Sequence, residues 1–263
     1  MVSDLDYDNS AAVPGSDGFG AEWQAAASAF RDRLGDRAEL AIPYGATPRE
    51  KLDLFLPDAA PTGLTVFVHG GYWRSRHRHD WSHFAAGALA RGDAVAMPSY
   101  TLAPEARIAR ITLQIAQALT QLADRVTDVP IRLVGHSAGG HLVARMLAAD
   151  VMLPDAVAAR LSHVMPISPV SDLRPLLGLA LNDDLRLDAS EAETESPALL
   201  PRALDVPMTV WVGAAELPAF IDQARWLATA WGAELVQADG RHHFDVIDPL
   251  LDPDSDMLKR LFS

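Results

Sequence analysis

Short, continuous apolar runs alternate with longer stretches of helical apolar spacing along most of this chain of 263 residues. Apolar runs without alternation are typical of strands that are covered on both faces of a sheet. The runs predict strands at 64–68, 94–97, 131–134, 164–167, 208–212 and 234–237. The helical spacing predicts helices at 81–91, 106–125, 139–149 and 219–231. This order predicts an α/β fold with a mostly parallel sheet, right-handed crossovers and helices on both faces.

The N-terminal part of the chain has a different pattern. Residues 1–18 are acidic and polar and are predicted to form a flexible arm, whereas residues 20–34 predict an amphipathic helix. Two further strands are predicted at 39–44 and 51–56, and the second alternates apolar and polar residues like a strand with one exposed face. After the arm, residues 19–263 are predicted to form a single domain.

A G-x-S-x-G pentapeptide, Gly135-His136-Ser137-Ala138-Gly139, follows a predicted buried strand and precedes a predicted helix. In this context the motif forms a sharp, strained turn that projects a serine hydroxyl from the end of a strand. The positions two residues before and after the serine must then be small, and both are glycines. The sequence therefore predicts Ser137 as a nucleophile. The alternative is a glycine-rich turn without chemistry.

Backbone amides for an oxyanion site are predicted on two segments. Acyl transfer places negative charge on a carbonyl oxygen, and N–H groups aimed at that oxygen stabilise it. The amide of Ala138, at the start of the helix after the serine, is one predicted donor. The loop after the strand at 64–68 reads His-Gly-Gly-Tyr-Trp, and its glycines allow the backbone to turn amides inward. Gly71 and Tyr72 are the remaining candidate donors, beside Gly70.

The side chains of the same loop have separate predicted roles. His69 is expected to brace the loop through hydrogen bonds rather than to act as a catalytic base. Tyr72 and Trp73 are candidates for a pocket that binds an aromatic group. For Trp73, packing of the loop onto the scaffold is an equally open interpretation.

A serine nucleophile needs a base to take its proton and a carboxylate to orient that base. In the known chain order the acid precedes the histidine. Two histidines follow the last predicted strand, and His243 is preferred over His242 because Phe244 after it can anchor the loop in the core. After the preceding strand, Glu216 is the candidate acid, since Asp222 comes too late and is expected on the following helix.

Residues 170–205 interrupt the alternation of strands and helices. The segment is rich in Leu, Asp, Glu and Pro. Two interpretations stay open: a short lid over the site around Ser137, or an ordinary crossover helix with acidic loops.

The overall composition limits the function further. The formal net charge of −13 disfavours non-specific attraction to nucleic acid or anionic lipid. The absence of cysteine excludes disulfides and thiolate metal sites, and no continuous apolar stretch predicts a membrane span. The acidic N-terminus lacks the pattern of a secretory signal. We expect a cytoplasmic protein that acts on a small molecule without a cofactor, nucleic acid or membrane partner; a homodimer is left open.

A basic run, RSRHRHD at 74–80, follows the predicted oxyanion loop. One interpretation is that it attracts an anionic substrate, such as an amino acid with a free carboxylate, and the other is a solvated loop. His77, His79 and Asp80 also raise the question of a metal ion, but the lack of matching ligands elsewhere in the sequence disfavours it.

Taken together, these motifs resemble the α/β-hydrolase superfamily over residues 39–262. Within it, the His-Gly-Gly-Tyr-Trp loop is similar to that of kynurenine formamidases (arylformamidases) and related bacterial esterases, as are the segments at 100–104, 171–176 and 243–247. The acid in those enzymes is typically an aspartate, whereas this sequence has Glu216.

The resemblance implies hydrolysis of N-formylkynurenine or another aryl formamide through a formyl-enzyme at Ser137, as a step of tryptophan catabolism. The catalytic triad it implies is Ser137, Glu216 and His243. A general short-chain carboxylesterase would use the same residues and is the first alternative. The second is a non-catalytic binding protein that kept the fold, which normally requires the loss of one triad member.

Overall fold

Eight strands form one sheet in the computed structural model, which describes residues 2–263. The strands are β1 (Ala38–Pro43), β2 (Lys51–Phe55), β3 (Gly63–Val68), β4 (Asp93–Pro98), β5 (Ile131–His136), β6 (Leu161–Ile167), β7 (Thr209–Gly213) and β8 (Glu234–Ala238). Their order across the sheet is β1-β2-β4-β3-β5-β6-β7-β8. Strand β2 is antiparallel to both of its neighbours, and the other pairs are parallel. The predicted mostly parallel α/β architecture is confirmed.

The strands divide their side chains between two hydrophobic cores. In β4, Ala94 and Ala96 belong to one core, while Val95 and Met97 belong to the other. The division arises because successive side chains of a strand point to opposite faces of the sheet. Both faces are buried, which is why these strands appear in the sequence as continuous apolar runs.

Helices cover both faces of the sheet, as predicted. The α-helices are α1 (Asn9–Ala12), α2 (Ser16–Leu34), α3 (Ala86–Ala90), α4 (Ile108–Arg125), α5 (Ala138–Arg145), α6 (Asp155–Ala158), α7 (Asn182–Leu185), α8 (Ala189–Thr194), α9 (Pro218–Trp231) and α10 (Asp256–Leu261). Short 3-10 helices are Asp4–Tyr7, Gly35–Arg37, Arg78–Asp80, Ser82–Ala85, Arg174–Gly178, Pro197–Leu199 and Asp248–Leu251. Helices α2, α3 and α10 pack in the core of Met97, whereas α4, α5 and α9 pack in that of Ala96.

Some helix boundaries differ from the predicted ones. Helix α2 begins at Ser16 rather than at residue 20, and α5 ends at Arg145 rather than at residue 149. The helix predicted at 81–91 is a 3-10 turn followed by the short helix α3. Single turns at helix ends are commonly 3-10, and sequence periodicity does not distinguish them from α-helix.

The predicted arm of residues 1–18 includes Met1, which lies outside the described residues. The rest forms the turn Asp4–Tyr7, helix α1 and the start of α2. Tyr7 is only 4% exposed, and its ring lies 5.8 Å from that of Phe220 in α9. In the structure this segment therefore packs on the domain, and its flexibility stays a prediction.

The segment 170–205 consists of short helices joined by loops. Leu173, Leu176 and Leu185 are buried in the same core as α9. The segment is thus anchored by apolar side chains rather than projecting from the domain, and its role as a lid stays a prediction.

Candidate active site

Ser137 lies at the turn between β5 and α5, with φ 56° and ψ −118°. A non-glycine residue in such a region is strained by about 1–3 kcal/mol, which persists only where the surroundings impose it. Here a Cβ added to Gly135 would lie 2.1 Å from the carbonyl oxygen of Gly139. One added to Gly139 would lie 1.9 Å from the carbonyl oxygen of Val68. The two glycines of the pentapeptide are therefore required by backbone packing around the strained serine.

His243 and Glu216 form a buried pair on the loops after β8 and β7. Nδ1 of His243 lies 2.6 Å from Oε2 of Glu216, and the two side chains are 7% and 0% exposed. This bond holds a proton on Nδ1, so in the neutral ring Nε2 is free to accept one. Because His243 and Ser137 line the same cavity, the pair can act on a serine hydroxyl there.

The second oxygen of Glu216 is held as firmly as the first. Oε1 accepts a hydrogen bond from the amide of Gly213 at 2.8 Å and another from the hydroxyl of Ser168, directly after β6. With both oxygens bonded, the carboxylate has one orientation, and His243 is oriented with it. No motif in the sequence indicates Ser168; its position at the end of a parallel strand was the one available signal.

The neighbouring His242 has a different environment. Its Nδ1 accepts hydrogen bonds from the amides of Phe244 and Asp245, both at 3.2 Å. Its ring packs edge-on against Phe19, with centroids 5.6 Å apart. Of the two histidines, His243 is therefore the one bonded to Glu216.

The glycine loop after β3 passes directly against the serine turn. A Cβ added to Gly70 would lie 2.8 Å from the carbonyl oxygen of His136 and 3.0 Å from Cβ of Ser137. The next residues turn through the left-handed region, with φ 107° at Gly71 and 49° at Tyr72. Both of these residues line the cavity with Ser137, and among residues 2–263 no group accepts a hydrogen bond from their amides.

His69 braces the start of this loop. Its Nδ1–H donates to the carbonyl of Gly70 at 2.8 Å, and the hydroxyl of Tyr100 donates to the carbonyl of His69 at 2.9 Å. Burial lowers the pKa of His69 to about 3, so the ring is neutral. The C=O and N–H of one peptide point in opposite directions, so fixing the Gly70 carbonyl also fixes the amide of Gly71. These contacts match the bracing role expected for His69.

His136, the second residue of the pentapeptide, holds the backbone of the histidine loop. Its Nε2–H donates to the carbonyl of His243 at 2.9 Å. Burial, with a contribution from nearby His243, lowers the pKa of His136 well below its usual range, so it is neutral. The side chain therefore links the serine turn to the loop of the base. Sequence reasoning assigned no role to His136, because the motif admits any residue there.

The two aromatic residues of the glycine loop differ in what they contact. Trp73 is fully buried, does not line the cavity and packs edge-on against His141, with centroids 5.0 Å apart. Of the two interpretations of Trp73, packing onto the scaffold matches the structure. Tyr72 lines the cavity, and its hydroxyl donates to the carbonyl of Tyr7 at 2.7 Å. Burial raises the pKa of Tyr72, so the hydroxyl remains protonated.

The cavity around Ser137 has a volume of about 500 Å³ and walls from distant parts of the chain. Aromatic rings contribute to it: Trp23, Trp81 and Phe244. Further lining comes from the N-terminal residues and from the segment 170–205: Asp4, Tyr7, Asp8, Asn9, Ser10, Ala180 and Leu181. These two segments are joined, since Asp4 accepts a hydrogen bond from the amide of Ala180 at 2.8 Å. Sequence reasoning missed this contribution of the N-terminal residues.

The basic run at 74–80 separates into residues with different partners. Arg78 is buried, and its Nε lies 2.7 Å from Oδ1 of Asp53. Arg74 is more exposed and pairs with Asp184 at 2.7 Å. Arg76 lines the cavity. The run is therefore neither a single solvated loop nor a uniform basic surface.

In the part of the chain that the structure describes, no group of three or more His, Asp or Glu side chains is placed to hold a metal ion. Over the same residues, no helix combines the length and apolar character needed to cross a membrane. The expected independence from a cofactor stays a prediction.

Comparisons with known proteins agree with this architecture. Residues 65–243 match a family model described as alpha/beta hydrolase fold. The chain is 31% identical to the kynurenine formamidase of Drosophila melanogaster over 237 residues, which cover 81% of this chain and 77% of that one. It is 26% identical to the kynurenine formamidase of Danio rerio over 224 residues, covering 80% of this chain and 76% of that one.

Among solved structures, one from Silicibacter sp. TM1040, which carries the provisional description of a thioesterase, is 53% identical. It superposes with a TM-score of 0.96 and covers 99% of this chain and 98% of its own. The chain therefore belongs to the α/β-hydrolase family, as a hydrolase related to the kynurenine formamidases.

Proposed function

We propose that this protein is a serine hydrolase that cleaves an aryl formamide or a small acyl ester through an acyl-enzyme at Ser137. The observation that carries the proposal is the buried pair of His243 and Glu216, which shares the cavity with the strained serine. A neutral imidazole whose Nδ1–H is held by a carboxylate has the tautomer and orientation of a general base. The three residues are the proposed catalytic triad.

In the proposed acylation step, Nε2 of His243 takes the proton of Ser137 as Oγ attacks the acyl carbon. The amides of Gly71, Tyr72 and Ala138 are the proposed donors to the oxyanion that forms. The imidazolium then gives its proton to the leaving amine or alcohol as the C–N or C–O bond breaks. In deacylation, His243 deprotonates a water molecule, which attacks the acyl carbon and releases the acid with Ser137 restored.

A formyl group on an aromatic amine is the acyl substrate that the observations support best. The kynurenine formamidases of two animals are similar to this chain over 81% and 80% of its length. The cavity of Ser137 also presents the rings of Trp23, Trp81 and Phe244, which suit an aryl leaving group. N-formylkynurenine has this chemistry, and its hydrolysis to kynurenine and formate would belong to tryptophan catabolism.

The test compares kcat/KM for N-formylkynurenine with kcat/KM for p-nitrophenyl acetate. A formamidase gives the larger value for N-formylkynurenine, whereas the reverse order supports the general short-chain carboxylesterase. An acetyl thioester completes the series, because the similar Silicibacter structure carries the provisional description of a thioesterase.

Covalent labelling distinguishes the hypothesis of a non-catalytic binding protein from the two enzyme hypotheses. An organophosphorus ester reacts with a serine only where a base activates it, so we expect one adduct, on Ser137, by mass spectrometry. A protein without adduct and without turnover on any of the three substrates would be a binding protein that kept the fold.

A further inference from the structure

The guanidinium of Arg76 lies at the cavity without a counter-ion. Arg76 lines the cavity of Ser137, is half-buried, and has its Cζ 5.9 Å from the centroid of the Trp23 ring. Within residues 2–263, its carbonyl accepts a hydrogen bond from Arg49 at 2.6 Å, but its guanidinium donates none and pairs with no carboxylate. A partly buried cation without a partner is costly, so an anion that enters the cavity gains a ready site.

The other charged groups nearby already have partners. Arg74 pairs with Asp184 and Arg78 with Asp53, each at 2.7 Å. Of the run at 74–80, Arg76 is therefore the arginine whose charge the described chain leaves available to a ligand.

Two carboxylates also line the cavity, and both hold backbone amides. Asp4 accepts a hydrogen bond from the amide of Ala180 at 2.8 Å, and Asp8 accepts one from the amide of Ala11 at 3.0 Å. Both are exposed, so water screens their repulsion of an anion more than it screens the attraction of the half-buried Arg76.

A continuous series of rings leads from Arg76 to the proposed base. The centroids of Trp23 and Trp81 are 4.6 Å apart, and those of Trp81 and His136 are 6.0 Å apart. The ring of His136 in turn lies 4.7 Å from that of His243. An aromatic group that reaches from the serine towards Arg76 would therefore lie against aromatic side chains along its length.

We propose that Arg76 binds a carboxylate of the substrate while Trp23 and Trp81 contact its aromatic ring. The enzyme then selects aryl formamides or aryl esters whose leaving group carries an anionic substituent. A guanidinium suits this task because it can donate two parallel hydrogen bonds to a carboxylate. The inference rests on the proposed function and specifies the substrate class of the same site.

The test uses two esters of the same shape, 4-acetoxybenzoate and its methyl ester, which differ in the negative charge. We expect Arg76→Gln to lower the ratio of their kcat/KM values, charged over neutral, by about tenfold or more, the size of a charged hydrogen bond. The change should lie mainly in KM, and Arg76→Lys should restore part of the ratio. High salt should lower the ratio of the wild-type protein and have less effect on Arg76→Gln.

Arg33→Gln is the matched control. Like Arg76, Arg33 lies over an aromatic ring of α2, with its Cζ 5.8 Å from the centroid of Phe30, but it is exposed and outside the cavity. Arg33→Gln removes the same charge from the protein. It should change the ratio of the two kcat/KM values by less than about twofold, because Arg33 is a surface charge outside the cavity. Equal ratios in Arg76→Gln and the wild-type protein would overturn the proposal.

Binding of the product 4-hydroxybenzoate, measured by calorimetry, separates this proposal from the proposed function. If no ester or formamide is hydrolysed, the proposed function fails, but binding that weakens about tenfold in Arg76→Gln still supports the anion site. If esters are hydrolysed and neither binding nor the ratio responds to Arg76→Gln, the anion site alone is wrong.

Discussion

The serine turn and the N-terminal residues line the same cavity but are held by different kinds of contact. Around Ser137, backbone meets backbone so closely that Gly135 and Gly139 have no room for a Cβ. The N-terminal residues are held by the buried ring of Tyr7 and by side-chain hydrogen bonds, such as those of Asp4 with Ala180 and of Tyr72 with Tyr7. The difference indicates that close backbone packing fixes the serine turn, while side-chain contacts that single substitutions can remove hold the N-terminal wall of the cavity.

The largest expected effect comes from removing the nucleophile. Ser137→Ala should lower kcat by about 10⁶-fold, because the loss of a serine nucleophile abolishes the acyl-enzyme route. The turn should survive, since its geometry depends on the glycines and not on the hydroxyl. The measurements are hydrolysis of p-nitrophenyl acetate and the free energy of unfolding in urea. Retained turnover in a folded Ser137→Ala protein would contradict the assignment of the nucleophile.

Substitutions of Glu216 test whether the rate of hydrolysis depends on the fixed carboxylate beside His243. Glu216→Gln should lower kcat by about 10³–10⁴-fold, because the amide no longer orients or stabilises the charged imidazole. Glu216→Asp keeps the charge but shortens the arm that reaches His243, so a smaller loss of about 10²-fold is expected from misplacement. Both values of kcat are measured with p-nitrophenyl acetate. Comparable losses of kcat in the two variants would show that the negative charge at residue 216 does not determine the rate.

Buried histidines around the serine turn should also contribute to the dependence of stability on pH. Burial lowers the pKa values of His69 and His141 to about 3 and that of His136 well below its usual value. The unfolded chain protonates these groups below about pH 6.5, where the folded protein leaves them neutral. The free energy of unfolding should therefore fall as the pH drops below 6.5, by up to about 1.4 kcal/mol per pH unit for each histidine.

Urea unfolding at pH 7 and pH 5 measures this dependence. In His141→Gln the loss of stability between the two pH values should be smaller by up to about 2 kcal/mol, because one histidine no longer contributes. The wild-type protein, measured in parallel at both pH values, is the control. An unchanged slope in His141→Gln would mean that this histidine is protonated in the folded state.

The smallest expected effect concerns the contact between the glycine loop beside Ser137 and the N-terminal residues. Tyr72→Phe removes the hydrogen bond to the carbonyl of Tyr7 but leaves the amide of Tyr72 in place. The loss of one hydrogen bond is worth about 1 kcal/mol, so KM for N-formylkynurenine should rise about fivefold while kcat changes less. With p-nitrophenyl acetate, which fills less of the cavity, KM should change less. A fall in kcat without a change in KM would indicate that the Tyr72 hydroxyl takes part in the reaction rather than in closing the cavity.

The difference between close backbone packing at the serine turn and side-chain contacts at the N-terminus also explains which features the sequence could predict. The serine turn was predictable because a few adjacent residues meet strict steric demands, and the strands were predictable because both of their faces are buried. His243 and Glu216 followed from their positions after strands. Ser168 and the N-terminal residues carry no comparable pattern: the hydrogen bond between Gln223 and Tyr7, for example, joins residues 216 positions apart. Contacts of this kind arise only once the sheet has formed.

The family model spans residues 65–243 and so includes Ser137, Glu216 and His243 but neither Tyr7 nor Trp23. The walls of the cavity are thus partly encoded outside the segment that carries the proposed catalytic triad. Under the proposed function, changes near the N-terminus would alter the choice of substrate while leaving Ser137, Glu216 and His243 in place. For protein engineering, grafting this segment between relatives offers a route to new specificities that leaves the serine turn untouched.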